Sequence, residues 1–333
     1  MIAMLRPRDG ALPPELQVEQ RRLRGGLEAA AVSRVIIRYQ DPAGRQRAMS
    51  FVVKRLAGTA AREARVYRHL VTAHVPAMAP RVLASHETSQ GGAVLYLEFL
   101  RPISAWPWRA LATARAVLEQ VARLHAVRPG RSAIAALSAW DYERELRRNA
   151  ELTLTRLEQV VQQREFSGVA VAMPPARRLV RSLAEMRRQL LAFVPLGSTP
   201  IHGDLHPGNA LVRRRGGRDE PVLIDWGRAR IGSPLEDIST WLQSLAGWEP
   251  EARRRHDSLL TDYLTARGMD GQLLPELRAT YWFAGASNAL GGALLYHLTV
   301  LLDRQATSTR KRNAAYSTRE WLRVLRRADA FWG

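Results

Sequence analysis

Two short segments concentrate the residues best able to do chemistry: Ile201-His202-Gly203-Asp204-Leu205-His206-Pro207-Gly208-Asn209 and Val222-Leu223-Ile224-Asp225-Trp226. Pro207 and Gly208 predict a tight loop between Asp204 and Asn209, turning both side chains into one cleft. Residues 210–214 and 221–225 alternate like the arms of a hairpin around Arg215-Gly216-Gly217-Arg218, which would return Asp225 beside that loop. Two carboxylates and one carboxamide make an all-oxygen donor set, suited to magnesium rather than zinc. His202 and His206 could instead join Asp204 and Asp225 around a metal, giving a hydrolase. The spacing His-x-Asp-x-x-x-x-Asn suits phosphoryl transfer better, where the Asp accepts a hydroxyl proton and the Asn helps to hold a metal.

The elements that must position these residues change character along the chain. Residues 17–23, 30–39 and 47–56 read as strands, with Gly25-Gly26 and Asp41-Pro42-Ala43-Gly44 as the breaks between them. A helix fits residues 59–71, where Glu63, Val66, Tyr67 and Leu70 recur at helical spacing. Residues 81–87 and 93–99 suggest two further strands. From Arg101 the pattern becomes helical, with an amphipathic stripe of Val117, Leu118, Val121 and Leu124 in residues 111–126. Helices follow over 141–163 and 176–193. Ser317 and Glu320 read as a capping box opening the last helix. The expectation is an α+β chain of a small sheet-rich lobe and a larger helical one, with the boundary at 98–101.

Composition bounds what the protein can be. With 333 residues, 46% of them apolar, it can bury a substantial core, and its lack of cysteine excludes disulfides, thiolate metal sites and a cysteine nucleophile. The net charge of +19 suggests a nucleic-acid footprint, but Lys54 and Lys311 are the only lysines and the arginines are scattered. No RNA-binding aromatic signature or recognition helix accompanies them. A solvated basic surface is therefore expected, and nucleic acid is not expected as a partner. The start, MIAMLRPRDGALPPELQ, lacks a sustained apolar core. Residues 281–302 carry no Asp, Glu, Lys or Arg, but Ser287, Asn288, Gly291, Gly292, His297 and Thr299 mark a buried core helix rather than a membrane span. A cytoplasmic protein fits.

HGDLHPGN followed by IDW resembles the aminoglycoside phosphotransferase and choline kinase group, which has the protein-kinase-like fold. The resemblance extends over nearly the whole chain and is strongest over residues 201–237. It implies residues 1–98 as a nucleotide-binding lobe and 99–333 as a catalytic and acceptor-binding lobe. It implies ATP and Mg2+, with Asp204 as catalytic base and Asn209 and Asp225 as the metal-binding pair. His202 and Asp237 would brace the catalytic loop. A kinase-like fold also needs a third-strand lysine paired with a glutamate on the next helix, and Lys54 and Glu63 stand there. Gly25 and Gly26 would lie in the loop covering the phosphates, without the G-x-G-x-x-G of protein kinases. The segment Leu95-Tyr96-Leu97-Glu98-Phe99-Leu100 resembles the hinge, whose backbone at Glu98 and Leu100 would bind the adenine edge. His125 sits in the helix preceding the catalytic region and is expected to pack there.

Only a short stretch separates Asp225 from the next helix near Leu235, whereas a protein kinase needs a long segment there to cradle a peptide. A small-molecule hydroxyl acceptor is the expectation, with aminoglycosides, amino alcohols and sugars all open and the basic chain mildly against polycations. Trp241, Trp248, Tyr281, Trp282 and Asn288 are candidates for its wall, although aromatics at this spacing more often belong to a core. The rival readings are a kinase acting on a protein and a basic ATP-binding module without turnover.

Overall fold

The protein is described by a computed structural model covering residues 16–23, 31–41, 43–100, 106–215 and 218–332. Its contacts group into two compact units. One comprises the amino-terminal region through residue 100, residues 129–136 and residues 211–228; the other comprises 106–128, 137–210 and 229–332.

In the first unit, β1 (Leu16–Arg22), β2 (Ala31–Gln40), β3 (Gln46–Leu56), β4 (Val82–Glu87) and β5 (Ala93–Glu98) form an antiparallel sheet in the order β1-β2-β3-β5-β4. Side chains two apart share a face of a strand. Val35 and Ile37 of β2 thus meet Phe51 and Val53 of β3 and Val94 of β5 in one cluster, with Val35 directly opposite Phe51. Lys54 stands out of phase with Val53. It shares the other face with Leu56 and pairs across to Leu95, both nearly sealed from solvent. The helical run after β3 packs against β5, burying Glu63, Val66, Tyr67 and Leu70 at the expected i, i+3, i+4, i+7 spacing. The run is less regular than a single α-helix: a 3-10 turn at Gly58–Ala61 leads into Arg62–Val66, and a π turn covers Tyr67–Val71.

Strands β7 (Ala210–Arg215) and β8 (Arg218–Leu223) pair as expected and join this unit, because Arg213 donates to the Ala79 carbonyl (3.2 Å) and to the Glu98 carboxylate (2.9 Å). Asp225 lies two residues past β8, outside the strand that the alternation extended to it.

The second unit is mostly helical. A two-stranded ribbon of β6 (Thr199–Ile201) and β9 (Arg230–Gly232) is set among the helices, with Ile201 opposite Arg230. The core gathers Leu146, Leu157, Leu179, Met186, Leu290, Leu294, Leu298, Leu322 and Leu325. Among the described residues one helical run, Pro275–Leu302, is long and apolar enough to cross a membrane, but 56% of its most apolar window is buried inside the protein. Phe283, Ala286, Leu290 and Leu298 of this run face the core.

Two expectations need correction. Residues 176–193 form not one helix but two, Met173–Arg181 and Leu183–Ala192, because Ser182 at φ −92°, ψ 4° leaves the helical region. The last helix runs Ser308–Trp332, so Ser317 lies inside it and caps nothing, while Glu320 pairs with Arg253 (2.8 Å) and Arg323. A true capping box occurs at Ser233 and Glu236, opening the helix Pro234–Trp248 with Pro234 at its first position. The same S-x-x-E pattern succeeds there because strand β9 ends at Gly232 and Pro234 has no N–H to continue a preceding helix.

Candidate active site

The first unit holds a small charged cluster around Lys54. Its Nζ lies 2.7 Å from a Glu63 carboxylate oxygen and 2.7 Å from Asp225 Oδ1, so one ammonium serves two carboxylates. Burial works against the lysine's charge, but Glu63 and Asp225 outweigh it and hold its pKa above the ordinary 10.5. The Glu63 side chain is sealed, whereas that of Asp225 is 29% exposed and keeps a face toward solvent. Asp225 is also the one non-glycine residue at positive φ (64°) among the described residues. That conformation costs roughly 1–3 kcal/mol and must be held by its surroundings. The indole of Trp226, fully buried, donates to the Leu223 carbonyl at 3.1 Å, and the buried Arg62 donates to the Gly227 carbonyl at 3.0 Å.

The second unit carries the Asp204 loop, which leaves the end of β6. Asp237 is almost wholly buried and accepts from the backbone N–H of His202 (2.7 Å), the N–H of Gly203 (2.8 Å) and His125 Nε2 (3.2 Å). His125 Nδ1 faces the Tyr263 hydroxyl at 2.8 Å, so a neutral imidazole donating to Asp237 and accepting from Tyr263 satisfies all three groups. Burial alone would raise the Asp237 pKa. The bond from His125, the nearby histidines and the Gly203 N–H reverse that, and the carboxyl titrates below its ordinary range. Burial also pushes the His125 pKa down, more than Asp237 pushes it up. Gly203 needs its φ of 79°, and its carbonyl accepts from buried Arg230 at 3.3 Å. The residue just before Asp204 is thereby gripped at its N–H and at its C=O.

Pro207, Gly208 and Asn209 form the expected tight turn, with the Asn209 N–H donating to the His206 carbonyl at 2.8 Å. Asn209 Nδ2 donates to the Asp204 carbonyl (3.0 Å) and to its Oδ2 (2.9 Å), so the loop brings these two side chains together. With Nδ2 turned to Asp204, the amide presents Oδ1 as its acceptor. Asp225 likewise gives one oxygen to Lys54 and retains the other. Oxygen donors of this kind suit magnesium. His202 is fully buried, with Nδ1 toward the Asp204 N–H at 3.4 Å. His206 Nε2 stands 3.8 Å from Asp204 Oδ2. No group of three or more His, Asp and Glu able to hold a metal occurs among the described residues.

The remaining expected residues divide. Glu98 ends β5, where its side chain accepts from the Arg81 N–H (3.1 Å) and from Arg213; Leu100 lies just beyond, half-buried. Gly25 and Gly26 lie outside the described residues. Three of the wall candidates are structural. Trp241 is sealed edge-on against Trp108, Tyr281 is buried against Gln243 and His256, and Asn288 Nδ2 donates to the Glu236 carbonyl at 2.8 Å. Trp282 stacks on His256, and Trp248 is 62% exposed. Sequence reasoning passed over Arg62 and Arg230, which look like two more arginines among many.

The antiparallel sheet with its buried Lys54–Glu63 pair and the helical unit with its Asp204–Asn209 loop make up a protein-kinase-like fold. The sequence model of the phosphotransferase enzyme family, APH, matches residues 20–280, and the chain belongs to that family. No curated protein matches it. Solved structures similar to it include an ethanolamine kinase from Plasmodium vivax, 11% identical with a TM-score of 0.60 over 93% of this chain and 84% of that one. The spectinomycin phosphotransferase APH(9)-Ia, solved with ADP and spectinomycin, is 12% identical with a TM-score of 0.57 over 99% and 97%. A choline/ethanolamine kinase family protein from Mesorhizobium loti is 18% identical with a TM-score of 0.51 over 94% and 92%. At these identities the likeness is one of fold.

Proposed function

We propose that this protein transfers the γ-phosphoryl group of ATP to a hydroxyl of a small molecule in the cytoplasm. Residues 1–98 would bind the nucleotide, and residues 99–333 would carry catalysis and acceptor binding. The observation that carries the reading is the buried Lys54–Glu63 pair, 2.7 Å apart, on the strand and helix where a phosphate-gripping lysine and its partner belong. Lys54 would engage the phosphates, the Gly25-Gly26 segment would cover them, and the backbone at Glu98 and Leu100 would meet the adenine edge. Asn209 and Asp225 would hold Mg2+, which neutralises phosphate charge when bound. Asp204, its carboxylate oriented by Asn209, would accept the acceptor's proton as the oxygen attacks. His202 and Asp237 would keep the loop in shape.

The acceptor is a small molecule because eight residues separate Asp225 from Pro234, and a 3-10 turn and β9 occupy them, leaving no segment to cradle a peptide. Ethanolamine and spectinomycin, named for the similar structures, mark the range to search: aminoglycosides, amino alcohols and sugars. The test is ADP release with magnesium across such a panel, for wild type and Asp204→Asn. Turnover that falls about 10²–10⁴-fold in the variant, at unchanged ATP affinity, supports the role of Asp204. Full turnover by the variant removes Asp204 as base, and ADP release seen only with a protein substrate would favour the rival kinase reading.

A further inference from the structure

Asp225 is held in an unfavourable backbone conformation, and two of the groups that hold it come from consecutive residues of one helix. Glu63 reaches the Asp225 side chain through Lys54, which bonds Oδ1 at 2.7 Å. Arg62, 4% exposed, reaches the backbone of the same turn directly, its Nε donating to the Gly227 carbonyl at 3.0 Å across a sequence separation of 165 residues. A lysine bond to a carboxylate oxygen tolerates rotation of that carboxylate and of the chain beneath it. A guanidinium bond to a carbonyl two residues further on does not, because returning Asp225 to negative φ would swing the following peptides and carry the Gly227 carbonyl away. Losing that acceptor inside a buried site is costly for a charged donor. On the other side of the turn, the Trp226 indole holds the Leu223 carbonyl. The turn is thus clamped before and after Asp225.

We propose that Arg62 is a positioning residue for metal binding: by pinning Gly227 it keeps Asp225 in the left-handed conformation in which one carboxylate oxygen meets Lys54 and the other would be available to hold a cation. The proposal rests on the reading of Asp225 as a magnesium ligand. It implies that the helix Arg62–Val66 sets both the lysine that grips phosphate and the aspartate that grips metal, so a displacement of this helix would weaken the two together.

The experiment compares wild type with Arg62→Lys and Arg62→Gln by calorimetric titration of ATP in magnesium and in EDTA, and by hydrogen exchange of the free proteins. Both variants should lose about tenfold of the affinity that magnesium adds, the release of a turn strained by a few RT. Affinity in EDTA should stay within about twofold of wild type, and amide exchange over residues 225–227 should quicken. A purely structural Arg62 would lower both affinities in parallel with the melting temperature. That result, or wild-type exchange and an unchanged magnesium gain in either folded variant, overturns the role of Arg62 while leaving the site assignment standing. If wild type itself binds no magnesium-ATP, it is the phosphotransferase reading of the site that falls.

Discussion

The cluster around Lys54 and the network around Asp237 are both built on carboxylates that meet buried donors, yet they spend their charge in opposite ways. At Lys54 one cation is divided between two carboxylates, and Asp225 remains 29% exposed with an oxygen uncommitted to the lysine. At Asp237 three N–H donors saturate one carboxylate that has almost no exposure. Beside it Glu236 is saturated too: Arg187 and Arg230 both reach Oε1 at 2.7 Å, and the Ser233 N–H takes Oε2. Burial opposes the Glu236 charge, and the two arginines overcome it. A sealed carboxylate with both oxygens engaged by buried donors can hold a loop but has no face to offer a ligand. One that shares its counter-ion and stays partly exposed keeps the negative charge that the proposed metal role of Asp225 requires.

The most severe test of this contrast is to remove each carboxylate. Asp237→Ala strands three buried donors and should cost on the order of 3–5 kcal/mol, seen as a large fall in urea midpoint. Asp225→Asn keeps the shape of a half-exposed side chain, and should change stability by less than about 1 kcal/mol. The same variant should lose magnesium-dependent ATP binding and turnover. Equal destabilisation by the two substitutions would break the comparison, since Asp225 would then be as structural as Asp237.

Much of this was readable from sequence where the cause is local. Alternation located the strands of the sheet to within about two residues, and the phase of Lys54 against Phe51 and Val53 followed from it. The loop of Pro207, Gly208 and Asn209 followed from turn chemistry. What escaped is non-local or conformational. Arg62 and Arg230 act on carbonyls of Gly227 and Gly203, and nothing in the local pattern separates them from the solvated arginines around them. The positive φ of Asp225 leaves no trace in a sequence, because the residue that adopts it is an aspartate and not a glycine. The aromatic residues near the carboxy terminus were legible only as an apolar stripe, and the packing of Trp241 and Tyr281 shows which part of that stripe is core.

Titration should separate the two regions by sign. His125 has a folded-state pKa below its ordinary value because burial disfavours the imidazolium, and His297 is pushed by burial down to about 4. For such groups the unfolded chain binds more protons in acid, so stability is fully present above about 6.5 and declines as pH falls below it. Lys54 has a raised pKa, so its contribution is complete below 10.5 and is lost only as pH rises through the folded value. The unfolding free energy should therefore fall between pH 7 and pH 5 through the histidines of the helical unit, by at most about 1.4 kcal/mol per pH unit for each. His297→Gln should flatten that slope. A slope left unchanged by the substitution would assign the acid sensitivity to His125 and His256, whose pKa values burial also lowers.

The smallest expected effect asks how much of the Asp237 network is owed to the helix on which it stands. Ser233 caps that helix and its neighbour Glu236 returns the bond, so Ser233→Ala should cost about 1 kcal/mol. Ser317 has the same S-x-x-E spacing but sits inside the helix Ser308–Trp332, where alanine is the better helix former, and Ser317→Ala should be neutral or slightly stabilising. Identical substitutions in identical motifs thus separate a cap from a coincidence. The Ser233 variant carries further information, because Glu236 keeps Arg187 and Arg230 after the cap is lost. If its magnesium-dependent ATP binding stays at wild-type strength while its melting temperature falls, the saturated network supports the loop without tuning the metal site. If both fall together, the division between charge used for structure and charge reserved for chemistry is less complete than the geometry of Asp237 implies.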